Sequence, residues 1–181
     1  MNLKEELLKY QPFNQQEETD LNTMLELLDS GKELYDRNNI AHFTASAWIV
    51  NKNRDKVLLA YHPIYHSWAW LGGHADNDTD LLRVCKKEIE EESGVTDLKM
   101  LYPTIYSIEI LPVASHYRKG EYVPNHLHLN VTYLFEADSD DITVLREDAK
   151  WIKYSDIAEY SNETAFIDNI YNKLMAKLTN L

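Results

Sequence analysis

The sequence predicts an α/β layered domain on a mixed sheet, with a helical extension ahead of it. Strand-like runs from Phe43 onward interleave with two stretches of clear helical period, and the first forty residues read as helical. At 181 residues the chain is long enough for one domain with a full core and short for two. The expected division is 1–40, a helical extension packed on the main domain, and 41–181, the domain itself. A content of 44% hydrophobic and 27% charged residues is globular, not disordered.

In the extension, Leu21, Met24, Leu25 and Leu28 follow helical spacing and Ser30-Gly31 makes a stop. Such a segment covers a sheet edge or makes a homodimer contact; the first is commoner. FTASAWIV, the polar turn NKNRD and KVLLAYH then read as a hairpin. The aromatic segment HPIYHSWAW follows, with Trp68 and Trp70 on one side of an extended chain, where core packing is expected.

From Gly72 to Val95 the chain reads GGHADNDTDLLRVCKKEIEEESGV, a glycine-opened loop and a helix from about Asp80 to Ser93. Asp78, Thr79 and Asp80 offer N-capping oxygens, and Gly94 suits the left-handed turn past the C-terminus. Leu81, Leu82, Val84, Cys85 and Ile89 form one apolar arc. Glu88 and Glu92 project into that arc and Glu91 onto its edge, whereas Glu90 falls on the opposite face, where it can pair with Lys86. Carboxylates about 5 Å apart at an effective dielectric of about 20 repel by roughly 3 kcal/mol per pair. The helix dipole disfavours anions in the last turns by roughly 0.3–1 kcal/mol each. A hard divalent cation removes both penalties, and Mg²⁺ accepts a few carboxylates together with substrate phosphates.

Beyond this helix, KMLYPTIYSIEILPV reads as one or two strands, ASHYRKGEYVPN as a polar loop and HLHLNVTYLFEA as a strong strand. In that strand Leu127, Leu129, Val131, Tyr133 and Phe135 share one face; His126, His128, Asn130 and Thr132 share the other, which is either solvent-facing or a cleft wall. His126 and His128 have the spacing of a transition-metal pair, but the other five histidines, His74 among them, show no ligand spacing. Hydrogen bonding is therefore the expected role of these histidines. A strand near Lys150 to Lys153 and a small helix at Ser155 to Tyr160 follow. A last helix carries Phe166, Ile167, Ile170, Tyr171, Leu174, Met175 and Leu178 on its core stripe.

The net charge of −12 argues against a nucleic-acid surface, which needs a basic stripe, but not against a small anionic substrate held by a cation. One cysteine excludes a disulfide framework. There is no membrane-spanning run, and the polar N-terminal stretch does not resemble a signal peptide. The expected location is the cytoplasm, with no membrane and no nucleic-acid partner.

Gly73, Glu88, Ile89, Glu91, Glu92, Gly94 and Val95 fall on the spacing of the Nudix signature, and this stretch closely resembles that of the Nudix hydrolases. The order of strands and helices from about Phe43 to Leu178 is similar too, which implies a Nudix-type α/β/α sandwich with a mixed β-sheet. The resemblance implies a pyrophosphohydrolase that cleaves a nucleoside diphosphate linked to another group X. Its cofactor would be Mg²⁺, with Mn²⁺ a substitute. Carried over by position, Glu88, Glu91 and Glu92 are expected metal ligands with the Gly72 carbonyl, and Glu88 would also assist water. A distant acid is expected at Glu147, with Glu109 and Glu136 behind it.

Two positions depart from the signature: Thr79 stands at the family's first glutamate and Lys87 at its arginine. In the family those side chains support the loop and orient the catalytic glutamate. Lys87 keeps the charge without the planar fork, and Asp78 or Asp80 is expected to take over the ion-pairing role. The rival readings are a non-catalytic nucleotide sensor and an enzyme like the isopentenyl diphosphate isomerases. The latter place a cysteine where Gly72 stands here. The 112–125 loop, with His116, Tyr117, Arg118 and Lys119, is either a phosphate or base contact or a surface hairpin end.

Overall fold

The computed structural model describes residues 2–63, 66–137 and 148–181. Two strands form the centre of the sheet, β1 (Ala41–Val50) and β9 (His126–Glu136), parallel and in register from Ala41↔Leu127 to Val50↔Glu136. On its other edge β1 pairs first with β4 (Leu71–His74), through Thr44 to Ala47, and then near Val50 with β2 (Lys56–His62). β3 (Ser67–Ala69) pairs with β2, so the aromatic segment changes partner at Trp70. β5 (Lys99–Met100) and β6 (Ser107–Val113) lie along the outer edge of β9, and β10 (Ala149–Lys153) lies outside β2. The polar loop is itself a small hairpin, β7 (His116–Arg118) and β8 (Glu121–Val123), turning at Lys119 and Gly120 with positive φ.

Strand alternation gives the sheet two buried faces. Phe43, Ala45, Ala47, Ile49, Leu129, Val131, Tyr133 and Phe135 meet Leu81, Val84, Cys85 and Ile89 of α3 (Leu81–Ser93). Leu3 and Leu7 of α1 (Leu3–Lys9) and Leu21 and Met24 of α2 (Gln15–Asp29) belong to the same core. On the second face Trp48, Val50, Leu59, Trp70 and Leu134 meet Ile170, Tyr171, Leu174 and Leu178. Those come from the last helix, which runs as α5 (Thr164–Phe166), a π-turn at Ile167–Tyr171 and α6 (Asn172–Leu178), preceded by a short α4 (Ile157–Tyr160). The result is the expected mixed-sheet sandwich with helices on both faces. Trp70 is core, and its backbone N–H donates to the Tyr171 hydroxyl. Half-buried Trp68 packs beside the same cluster, with the Lys150 ammonium over its ring. No helix among the described residues is long and apolar enough to cross a membrane.

The polar face of β9 is neither solvent-facing nor bare. Asn130 and Thr132 are buried with Thr44 and Ser46 of β1 and Ser107 and Glu109 of β6. Asn130 Oδ1 accepts from the Thr44 and Ser46 hydroxyls, and its Nδ2 donates to Glu109 Oε2. Buried polar atoms are costly unless paired, so this stripe persists because its members satisfy one another.

α2 closes the free edge of β6. Gln16 Nε2 donates to the Ile108 carbonyl and Ile110 N–H donates to Asp20. An unpaired strand edge is an aggregation hazard, and side-chain capping by a helix removes it.

Candidate functional site

α3 forms where the sequence places it because both ends are stopped by chemistry. Asp80 is the N-cap, its carboxylate accepting from the Arg83 N–H at 3.0 Å, and Gly94 ends the helix at φ 74°. Cys85 Sγ donates to the Ser46 carbonyl at 3.4 Å, which fixes the helix against β1. The glutamates therefore project toward β4 and its two glycines.

Glu92 Oε2 accepts the Gly72 backbone N–H at 3.0 Å. A Cβ built on Gly73 would lie 2.4 Å from the Glu88 carboxyl carbon, so that carboxylate rests on the Gly73 backbone. A Cβ on Gly72 would lie 2.6 Å from the Ala45 carbonyl oxygen, so this position also has no room for a side chain. Burial pushes Glu92 up to about 8, with Glu88, Asp148 and Glu91 adding repulsion, while the Gly72 N–H works the other way. Burial, then the neighbouring Glu91, raises Glu88. Glu91 is exposed and pairs with Lys87 at 3.5 Å. Glu88 and Glu92 thus gather on the two glycines of β4 with no ion-pair partner among the described residues, the condition a hard cation relieves.

Gly73→Ala is expected to lower turnover about 10- to 100-fold with the fold intact, because displacing a reacting group by about 1 Å costs on that order. Steady-state kinetics beside a circular-dichroism spectrum checks it.

Lys87 does not supply a fork to the glutamates; its ammonium lies at the surface on Glu91. The planar pairing is made by Arg83, whose Nε and Nη2 donate to the two oxygens of Asp78 at 2.8 and 2.5 Å. A second fork, Arg37 to Asp76, ties the loop after β4 to the segment before β1. Hydrogen bonds from Arg37 hold the Asp76 carboxyl below its usual range. Asp76 and Asn77 both have positive φ, a conformation that Asx residues tolerate. The expected pair of Lys86 with Glu90 is not formed; both are exposed, and such pairs gain too little over water to be held.

The distant acids fare differently. Glu147 lies outside the described residues. Its neighbour Asp148 lies near enough to raise Glu92, a contact that sequence reasoning missed although the residue adjoins Glu147. Glu109 is committed elsewhere: it is buried, 2.9 Å from Lys173 Nζ, and bonded to Ser107 and Asn130. Glu136 pairs with Arg54 at 3.5 Å beside the β1–β2 turn. Neither is at the glutamate cluster, because β6 and the far end of β9 lead away from β4.

Sequence reasoning also missed that His42 and His74 join His126 and His128. The four rings meet at the start of β1, the end of β4 and the start of β9, with ligand atoms within 4.8 Å of one another. Burial and the neighbouring positive groups depress His74 to about 3 and His128 to about 2.

A mixed α/β sandwich that carries a helix of glutamates onto the glycines of a strand has the architecture of a Nudix domain. The model of the NUDIX domain family matches residues 41–174, and the chain belongs to that family. Solved structures agree on the fold. The C. elegans Ap4A hydrolase is 20% identical over 76% of this chain and 96% of its own, at a TM-score of 0.52. The E. coli dihydroneopterin triphosphate pyrophosphohydrolase is 13% identical over 77% and 99%, also at 0.52. A Nudix hydrolase from M. smegmatis, RenU, is 14% identical over 77% and 87%, at 0.55. No curated protein matches the chain.

Proposed function

We propose that the chain is a Mg²⁺-dependent pyrophosphohydrolase. Its substrate would be a small-molecule nucleotide, a nucleoside diphosphate linked to a further group, with Mn²⁺ able to replace Mg²⁺. The observation that carries this reading is the drawing of Glu88 and Glu92 onto the Gly72–Gly73 backbone, with Glu91 beside them and both inner carboxylates raised. Oxygen donors on one helix, facing the backbone of a glycine strand and lacking an ion-pair partner at the inner two among the described residues, fit a hard divalent cation. Glu88, Glu91 and Glu92 would hold it, with the Gly72 carbonyl.

The cation, when bound, supplies charge neutralisation at the phosphate oxygens and a water acidic enough to attack near neutral pH. The protein's own groups do the rest. Gly72 N–H fixes the Glu92 carboxylate, so that it would meet the cation without reorganising. Glu88, its carboxylate resting on the Gly73 backbone, is assigned the deprotonation of the attacking water. Arg37 and Arg83 hold the loop between β4 and α3 through Asp76 and Asp78.

The deciding experiment is a phosphate-release screen over dinucleotides, nucleotide sugars, ADP-ribose and modified triphosphates with Mg²⁺ and Mn²⁺. Turnover that stops on chelation supports the reading; nucleotide binding without turnover of any substrate overturns it and leaves a sensor.

A thermal prediction follows from the same carboxylates. A raised carboxyl pKa in the folded state means that the native protein holds its proton more tightly than the unfolded chain. The contribution of Glu92 is therefore fully present below its unfolded value and is lost as pH rises through about 8. Metal-free protein is expected to lose thermal stability from about pH 5 to pH 8, and saturating Mg²⁺ to reverse most of that loss. Scanning fluorimetry across pH, with and without Mg²⁺, reads it.

A further inference from the structure

Four histidines from three strands converge at one end of the sheet: His42 on β1, His74 on β4, and His126 and His128 on β9. We propose that they form a second metal site, an all-nitrogen one for a divalent transition metal, with Zn²⁺ the first candidate. Nothing in the glutamate cluster takes part, and the site stands or falls independently of the hydrolase reading.

Three observations carry it. The first is reach: the ligand nitrogens all lie within 4.8 Å of one another, and His126 Nε2 and His128 Nε2 are 3.2 Å apart. Tetrahedral coordination with bonds of about 2.0–2.1 Å needs nitrogen separations of roughly 3.3 Å. One edge of the tetrahedron is thus already formed, and small ring rotations bring in the others.

The second is tautomer. His42 Nδ1 lies 2.8 Å from the Asn39 carbonyl and His126 Nδ1 lies 2.9 Å from the Pro124 carbonyl. A carbonyl oxygen only accepts, so in both rings Nδ1 carries the proton and Nε2 presents a lone pair. Donation of the second ring nitrogen to a backbone carbonyl is the usual arrangement behind a metal-bound histidine.

The third is an orphan. His42 is 1% exposed and its Nε2 has no hydrogen-bond partner, although three imidazoles surround it at 5.0–5.2 Å between ring centroids. A buried lone pair left unpaired costs about 1–3 kcal/mol, and a network of imidazoles alone does not relieve it here. A cation among the four rings would satisfy that atom. Imidazole nitrogen selects Zn²⁺ and its transition-metal neighbours, whereas Mg²⁺ takes oxygen. The two sites are joined by three consecutive residues of β4, Gly72 and Gly73 at the glutamates and His74 among the histidines.

The test uses the full chain, stripped with a chelator and dialysed. Titration with Zn²⁺ should bind one equivalent at micromolar concentration or tighter. Zinc absorption spectroscopy should then show nitrogen neighbours at about 2.0–2.1 Å. Co²⁺ in the same site should give the intense visible bands of tetrahedral geometry. His74→Gln and His128→Gln should each weaken Zn²⁺ binding at least 10-fold, while Glu88→Gln and Glu92→Gln should leave its stoichiometry unchanged. The proposal is overturned if wild-type protein binds no Zn²⁺ in that range, if the zinc neighbours are oxygens, or if only the glutamate variants lose the metal. Should the histidine variants fail to fold, the wild-type zinc and cobalt spectra decide alone.

Discussion

Glu92→Gln is expected to lower kcat/KM about 10³-fold or more in saturating Mg²⁺, with the fold unchanged. The amide is isosteric, and its oxygen can still accept the Gly72 N–H that positions the carboxylate at 3.0 Å. What is lost is the charge. A bound cation contributes several kcal/mol of transition-state stabilisation, and each 1.36 kcal/mol is tenfold in rate. The same substitution removes a buried, repelled carboxylate, so metal-free E92Q should be more thermally stable than wild type near pH 8 and should gain less from Mg²⁺. Glu90→Gln is the internal control. Glu90 is exposed and outside the cluster, and its change should alter rate less than about twofold. Equal losses for Glu90 and Glu92 would remove the distinction that defines the site.

The contrast between those two glutamates was legible in the sequence, because helical projection depends only on spacing. So were both caps of α3, the β1–β2 hairpin and the stripe of the last helix. Other features depend on which strands become neighbours, and spacing along the chain is silent about that. His42, His74, His126 and His128 form no ligand pattern in sequence; they meet because β1 pairs with β4 on one edge and with β9 on the other. Alternation in β9 placed Leu129, Val131, Tyr133 and Phe135 in the core correctly, whereas Leu127 at the start of the strand is exposed. It could not show that Asn130 and Thr132 would be buried, since their partners come from β1 and β6. The spacing of the signature leads to Lys87, whose ammonium pairs with Glu91, and the ion-pairing role expected of Asp78 or Asp80 is taken by Asp78; its partner, Arg83, is what the sequence did not show.

Glu17 was the least legible residue, a glutamate in the polar run NQQEE that reads as surface helix. It is completely buried. Its Oε1 accepts from Lys177 at 2.8 Å, with Ser107 Oγ at 2.9 Å and Lys173 Nζ at 3.1 Å; its Oε2 accepts from the Tyr10 hydroxyl and the Phe13 N–H, both at 2.7 Å. Burial opposes its charge, but Lys173, Lys177 and these donors outweigh that and keep the carboxyl below its usual range. One side chain therefore joins α2 to β6 and to α6, so the extension is bound into the sandwich by charge as well as by Leu21 and Met24. Glu17→Gln keeps the shape and deletes the charge. Lys173 retains Glu109 at 2.9 Å, but Lys177 is left largely buried beside the Tyr10, Phe13 and Tyr106 rings without its carboxylate. Breaking a buried pair by removing one partner costs about 3–5 kcal/mol. Glu17→Gln should lose about that much in urea unfolding, near the upper end for any single change in this chain. The double variant Glu17→Gln with Lys177→Met should recover a measurable part, because it also removes the stranded charge. If the single variant costs under about 1 kcal/mol, the ion pairs are not what fastens the extension, and its apolar contacts alone must do so.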